Sequence, residues 1–264
     1  MAVYNGVATV ASAIDSIRHQ TYTDWDFLIV DDGSTDGTSE VLERMASLDP
    51  RIAVIRNHAN RGLAASLNIG WRQAEGEFIA RMDADDVSLP QRFEKQVAFL
   101  ASHPEVDVLG TAKEAVDAAG TFLAYGYRPE WHEEIASRMY RITPLIHPSV
   151  MMRRRFLEAL GGYDESERVC RAEDSDLWLR GYRRFRYHNL QEPLIQYRVH
   201  RRPSMQSIAG IAYVQLRAAY REGLLLSKGW YALRSVAAGL LIRMNLYHPG
   251  YLPGPGLASR GGMR

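Results

Sequence analysis

Three groups of closely spaced carboxylates are the residues of this chain whose types and positions could do chemistry. The first is Asp83-Ala84-Asp85-Asp86, where neighbouring charges repel unless a cation or a proton relieves them. A divalent metal is the economical relief. Hard oxygen ligands suit Mg²⁺ or Mn²⁺, which takes one or two carboxylates and completes its shell with water and phosphate oxygens. The second is Asp31-Asp32, which opens the polar loop Asp31-Asp32-Gly33-Ser34-Thr35-Asp36-Gly37-Thr38. Asp36 can cap the helix that follows and the glycines can take positive φ, but neither role accounts for two adjacent acids. The third is Glu173-Asp174 with Asp176, at the start of a helical pattern over Glu173 to Arg180. There Asp176 and Arg180 can pair at i,i+4, which leaves Asp174 to point elsewhere, beside Leu177 and Trp178.

The elements that must position these acids can be read from periodicity. Four short apolar runs, Phe27 to Val30, Ile52 to Ile55, Phe78 to Met82 and Val106 to Leu109, have the length and β-branched content of buried strands. Between them, Leu63, Leu67, Trp71 and Ala74, then Phe93, Val97 and Leu100, recur at helical spacing. Alternation of strand and helix predicts an α/β, Rossmann-like and mainly parallel sheet, which binds ligands outside the carboxyl ends of its strands. Asp31-Asp32 and Asp83-to-Asp86 follow two of those ends. Ser88 and Gln91, with Pro90 in the first turn, fit a capping box for the next helix, so the 83–86 acids are not needed as caps. The opening strand is short: only Ala2, Val3 and Tyr4 precede the Asn5-Gly6 turn, as a misassigned start or a truncation would leave it. Val10 to Arg18 then reads as a helix. From Thr111 to Arg202 the pattern is irregular and aromatic, and Ile208 to Leu246 reads as two helices before a Pro/Gly-rich tail.

Composition narrows the class. With 264 residues, 46% hydrophobic and 24% charged, the chain can bury a substantial core. One cysteine, Cys170, cannot form an internal disulfide and reads as a partly buried thiol in a reducing compartment. The start lacks the features of a secretory signal and no run reaches a membrane span, so the expectation is a cytoplasmic chain, with contact at the inner face of the membrane as a further possibility. Residues 1–126 carry 10 Lys+Arg against 19 Asp+Glu, and the remainder 22 against 12. An acidic half suits a metal, and a basic half suits a diphosphate, a phospholipid surface or a lipid-phosphate acceptor.

Taken together, these segments resemble glycosyltransferase family 2, an inverting family with the GT-A fold. The resemblance runs through Tyr4-Asn5, the Asp31-to-Thr38 loop, Asn60-Arg61-Gly62 with Asn68, Asp83-x-Asp85, Glu173-Asp174 and Tyr197-Arg198-Val199-His200, in order along nearly the whole chain. It implies that Tyr4 stacks on the nucleotide base and Asp32 accepts from the base edge. Arg61 would lie near base or phosphates, Asp83 would face ribose and metal, Asp85 would bind the metal, and His200 would approach metal or diphosphate. Asp174 would be the general base, kept ionised by the helix N-terminus. The alternative, that Glu173, Asp174 and Asp176 only complement the helix dipole, stays open.

The resulting expectation is an inverting, metal-dependent transferase that moves a sugar from a nucleotide-diphosphate sugar to an acceptor hydroxyl, in surface polysaccharide or glycolipid synthesis. No Gln-x-x-Arg-Trp motif is present, which points to single-sugar transfer. The organisation expected is a nucleotide-sugar-binding half over 1–110, an acceptor-binding half over 111–203, and C-terminal helices and tail over 204–264. Partners would be the nucleotide sugar and a glycan or lipid-linked acceptor, with no nucleic acid. His147-Pro148-Ser149 and Arg153-Arg154-Arg155 read as structural or solvated. Around Leu233 to Leu246, Arg234 and Arg243 could flank an apolar helix face on an anionic membrane, or that face could pack on the catalytic domain or a partner subunit. The rival from outside the enzyme class is a noncatalytic nucleotide- or glycan-binding protein.

Overall fold

The computed structural model describes residues 1–199 and 204–243. Strand and helix alternate from the start: β1 (Ala2–Val3), α1 (Val10–Arg18), β2 (Phe27–Asp31), α2 (Thr38–Leu48), β3 (Ile52–Arg56), α3 (Leu63–Gln73) and β4 (Phe78–Ala80). The 3.6-residue period explains the helices, since α1 buries Val10, Ala13, Ile14 and Ile17 along one face. Strands β1, β2 and β3 pair in parallel in that order. Ile29 and Val30 in the middle strand are buried on its two faces.

An isolated parallel bridge between Ala2 and Asp83 carries the sheet from β1 to the residues just after β4. The spatial order is therefore 3-2-1-4, and it reverses between β1 and β4. At such a reversal the connections leave in opposite directions, which opens a crevice at the carboxyl ends of the two strands. Tyr4 and Asp83 follow those two ends.

The chain continues through β5 (Val87–Ser88), α4 (Arg92–Ser102), β6 (Val106–Val116), β7 (Phe122–Gly126), α5 (His132–Arg138), β8 (Met151–Arg153), α6 (Arg154–Leu160), α7 (Glu173–Gly181) and β9 (Arg186–Arg198). Here the order is β4-β8-β6-β9-β5, with β7 on β6. The β6–β9 pair is parallel, whereas β8, β7 and β5 run antiparallel to their neighbours. Parallel pairing needs a long crossover; antiparallel neighbours can follow from tight returns, such as the link over residues 117–121.

Strand β6 runs well past the Val106 to Leu109 segment expected from its apolar residues. Gly110-Thr111-Ala112-Lys113-Glu114 has no apolar run, yet it is covered because β7 and β9 flank it. Pro193 in β9 sits where the register with β6 shifts, the kind of position at which a strand tolerates a missing N–H.

The expected Ser88–Gln91 capping box does not form. Ser88 lies in β5, and Gln91 caps α4 without a side-chain bond. Instead Gln20, just past α1, accepts from the Phe93 N–H at 3.0 Å while its amide donates to the Leu89 carbonyl at 2.8 Å. A residue more than 70 positions away reaches the helix start first. Cys170, expected to be partly buried, is exposed after a short 3₁₀ turn that buries Val169 in its place.

Two apolar clusters complete the body. One gathers Val10, Ile14, Ile29, Leu42, Leu100 and Leu109, and the other surrounds Phe156, Trp178 and Tyr187. The C-terminal α8 (Met205–Arg221), α9 (Leu225–Lys228) and α10 (Trp230–Arg243) follow, with α8 against α7 and α10 against α8. Among the described residues no helix is long and apolar enough to cross a membrane.

Candidate active site

On the β1 side of the crevice, Tyr4 is 50% exposed. Asn5 takes φ +53°, a left-handed conformation that asparagine tolerates better than most residues. The loop it starts is bonded to the 34–38 loop: Asn5 N–H donates to Ser34 Oγ (3.0 Å), Asn5 Oδ1 accepts from Thr35 N–H (2.9 Å), and Gly6 N–H donates to Thr38 Oγ1 (2.9 Å). Asp31 is fully buried and accepts from Ser34 N–H and the Ser39 hydroxyl.

Asp32, also buried, ties this loop to the next. Its Oδ1 accepts from Asn57 Nδ2 (2.8 Å) and Arg61 N–H (2.9 Å), and its Oδ2 from Gly62 N–H (2.9 Å). Gly33 between the loops has φ +77°, and a Cβ there would stand 2.8 Å from the Ala59 carbonyl carbon. Any side chain would push the loops apart. The Arg61 backbone is thus fixed while its side chain faces solvent.

On the β4 side, Asp83, Asp85 and Asp86 each place a carboxylate oxygen within 4.8 Å of the others. Asp83 is ion-paired with Arg81, whose side chain is buried. Asp86 is buried as well. Its Oδ1 accepts from Arg198 N–H at 2.8 Å, while its buried Oδ2 has no hydrogen-bond partner among the described residues. Burial, then the charge of Asp83, pushes the Asp86 carboxyl up to about 8. Behind the cluster, the fully buried Arg92 donates to the Arg81 carbonyl (2.8 Å) and to the Val150 carbonyl (3.3 Å). Burial lowers it to about 9.

Late in the chain, Arg198 closes this edge by donating from Nε to the Asp85 carbonyl (3.1 Å) and from Nη1 to the Ala118 carbonyl (2.6 Å). Lys113 of β6 lies over the Tyr197 ring at 3.6 Å. Burial brings its ammonium down to about 8.

The third wall is the start of α7. Asp174 Oδ1 accepts from the Ser175 N–H at 2.6 Å. Burial nevertheless raises the Asp174 carboxyl above its ordinary value, so the helix start does not offset desolvation as the sequence suggested. Glu173 beside it is pushed up to about 7, by burial and then by Asp174. Asp176 turns away into the ion pairs with Arg180 (2.7 Å) and Arg217. This separation of roles matches the i,i+4 pairing read from sequence.

Under this wall Tyr163 Oη lies 2.9 Å from His147 Nε2. Burial and then the Arg81 charge hold that imidazole well below its usual range, so it is neutral. Asn68 fixes Tyr163 by donating to its carbonyl (2.9 Å) and accepting from its N–H (2.9 Å).

Arg81 joins the walls. Its charge acts on Asp83 and Asp86 on one side and on Glu173 and Asp174 on the other, and it reaches Tyr163 and His147. Carboxylates some 90 positions apart thus both feel the lowering effect of one buried guanidinium, which is ion-paired with Asp83. Burial is the largest single influence and opposes that charge, but Asp83 with Tyr163 and Asp86 together outweigh it and raise Arg81 above its ordinary value.

Of the residues predicted from sequence, Tyr4, Asp32, Arg61, Asp83, Asp85 and Asp174 are all placed along this crevice or on the loops that frame it. His200 lies outside the described residues. Sequence reasoning passed over Arg81, Lys113 and Tyr163, named Glu173 only beside Asp174, and read His147 as structural or solvated. A charged residue inside an otherwise apolar run, as Arg81 is between Ala80 and Met82, was the available signal. Arg153 is structural as expected, donating to the Val106 (2.9 Å) and Leu100 (2.7 Å) carbonyls.

The chain is similar to known proteins in sequence and in fold. The model of Glycosyl transferase family 2 matches residues 1–161. The putative glycosyltransferase EpsE of Bacillus subtilis (strain 168) is 42% identical over 200 residues, which cover 75% of this chain and 71% of that protein. The O-antigen biosynthesis glycosyltransferase WbnJ of Escherichia coli is 30% identical over 219 residues, 81% of this chain and 83% of that one. Among solved structures, S. aureus TarS 1–349 in complex with UDP-GlcNAc superimposes with a TM-score of 0.67 at 19% identity, over 92% of this chain and 71% of that chain. A longer TarS chain is covered to 42%. The mannosyltransferase PcManGT from Pyrobaculum calidifontis, in complex with GDP-Man and Mn²⁺, gives a TM-score of 0.62 at 19% identity, over 95% of this chain and 75% of that one. At that identity the structures establish the shared fold alone.

Proposed function

The chain belongs to glycosyltransferase family 2, and from that premise we propose that it transfers a sugar from a nucleotide-diphosphate sugar to an acceptor hydroxyl, with metal assistance and inversion. The observation that carries the reading is the Asp83–Asp86 cluster at the crevice where the strand order reverses, with Arg81, ion-paired to Asp83, also acting electrostatically on Asp174. The names of relatives such as WbnJ, and of the amylovoran biosynthesis glycosyltransferase AmsE of Erwinia amylovora, support a role in surface polysaccharide or glycolipid synthesis.

The residues present suit a hard divalent cation. Asp83 and Asp85 would hold it, and the buried Asp86 Oδ2 beside them has no hydrogen-bond partner among the described residues. Bound there, Mg²⁺ or Mn²⁺ would supply positive charge against the diphosphate as it leaves. His200 remains a candidate ligand through the family resemblance.

The chain's own residues do the rest. Tyr4 offers an exposed ring for the base to stack on. Asp32 keeps capacity on Oδ2, which accepts one bond where a carboxylate oxygen can accept two. Arg61, on a backbone fixed by Asp32, would reach base or phosphates. Asp174 would take the acceptor proton as the hydroxyl attacks the anomeric carbon from the face opposite the diphosphate. A single direct displacement inverts that centre and needs no enzyme nucleophile. The raised Asp174 carboxyl makes it a stronger base than an exposed aspartate.

A panel of nucleotide sugars, beginning with UDP-GlcNAc and GDP-Man, tests the reading. One donor should be cleaved slowly with Mn²⁺ or Mg²⁺ and no acceptor, and excess EDTA should stop it. Asp174→Asn should keep donor affinity and lose roughly 10²–10⁴-fold in transfer. Undiminished activity in EDTA would remove the metal from the proposal, and a parallel loss of donor affinity and rate would make Asp174 a binding residue.

A further inference from the structure

Helix α10 is apolar on both of its sides, and among the described residues only one of them is covered. Ala232 is buried, Ser235 Oγ lies 3.0 Å from Gln215 Oε1, and a Cβ on Gly239 would stand 2.6 Å from Ile208. These three positions put one side of the helix against α8. At about 100° per residue, Trp230, Leu233, Ala237, Leu240 and Leu241 fall on the opposite side, with Arg234 among them. All of them are exposed, Leu233 by 74% and Trp230 by 51%. In the segment before the helix, Leu226 is fully exposed and Tyr220 at the end of α8 is 75% exposed. A helix that is apolar all round has its stable place inside a larger assembly or at a lipid boundary.

Charge decides between those places. From residue 204 to the end, the chain has seven Lys+Arg and one acid, Glu222. That acid is already paired with Arg183 at 2.8 Å and accepts from the Tyr182 hydroxyl. Arg234 on the outer face, with Arg221 and Lys228 in the preceding segment, therefore has no acid from this part of the chain to offset it. A second copy would set like charges against one another across a two-fold axis, whereas an anionic lipid surface attracts them all. The match to the family model ends at residue 161, before these helices begin.

We propose that the outer face of α10, with the α8–α9 connection, docks the protein on an anionic phospholipid bilayer. Trp230 and the leucines enter the headgroup boundary, and the bordering cations sit among lipid phosphates. Such binding is peripheral and reversible, because its apolar area is small and its electrostatic part is screened by salt.

Co-sedimentation of the full chain with vesicles tests the proposal. Equal parts phosphatidylcholine and phosphatidylglycerol should pellet the protein at low salt, and pure phosphatidylcholine should not. Raising the salt from about 0.01 M to 0.5 M shortens the screening length from about 30 Å to only a few ångströms and should release most of it. Leu233→Glu and Arg234→Glu should each lower partition by about tenfold. Both leave donor cleavage in solution unchanged, which shows that the variants are folded. No sedimentation at low salt, or equal binding to both lipids, would overturn the proposal. So would a homodimer, seen by light scattering, that Leu233→Glu dissociates in a protein that binds no vesicles.

Discussion

The two aspartate-rich loops at the mouth of the crevice have similar composition and opposite physics. In the first, the carboxylate of Asp31 accepts from a backbone N–H and a hydroxyl, and that of Asp32 from two backbone N–H groups and an amide. Those charges are satisfied by the protein itself and hold two loops at a fixed separation. In the second, Asp83, Asp85 and Asp86 crowd one another, and Asp86 keeps a buried oxygen without a hydrogen-bond partner among the described residues. Donors already aimed at a buried carboxylate make it part of the architecture, whereas buried carboxylates aimed at one another create a demand for a cation.

The comparison breaks most decisively on activity. Asp85→Asn removes a negative charge from the second loop, and transfer should fall by roughly 10³-fold, while thermal stability stays within a few degrees of wild type. Turnover with the identified donor and a melting curve check both halves. Full activity in this variant would mean that the second loop, like the first, is architecture.

The converse experiment concerns stability. Asp32→Asn leaves at least one of three donors, the Asn57 amide and the Arg61 and Gly62 N–H groups, facing an amide that matches them poorly. The expected cost is about 2–3 kcal/mol, read from the urea midpoint at unchanged slope. A variant as stable as wild type but unable to bind donor would shift Asp32 from architecture toward base recognition.

The smallest effect is a pH dependence. Asp86 at about 8 and Glu173 at about 7 hold protons more tightly in the folded chain than unfolded carboxyls do. Between the unfolded values near 4 and these folded ones, the native state binds more protons. The metal-free protein should therefore lose stability as pH rises through that window. Mn²⁺ should restore it most at the alkaline end, where the cluster is deprotonated and ready to bind. Melting temperatures from pH 5 to 8.5, with EDTA and with Mn²⁺, measure this. Glu173→Gln should reduce the slope without abolishing the metal effect.

The sequence by itself determined the elements and the motifs they carry. Apolar runs of strand length at Phe27, Ile52 and Phe78, with helical periods between them, specify alternating strand and helix, because side-chain periodicity is a property of neighbours a few residues apart. The position of Asp31-Asp32 and Asp83-x-Asp85 at strand ends follows from the same local reading, and so does the Asp176–Arg180 pair that separates Asp176 from Asp174. Only the tertiary structure decided how those charges are met. The long β6 has no apolar run after Leu109 and exists because β7 and β9 pair with it; that pairing brings Lys113 onto Tyr197. Gln20 rather than Ser88 reaches the start of α4 because the fold places α1 beside it. Arg81 acts on Asp83 and on Asp174, some 90 residues later, because β4 and α7 meet at one crevice. A carboxylate's charge depends on the desolvation and partners that distant segments impose, and no local pattern encodes which segments those are.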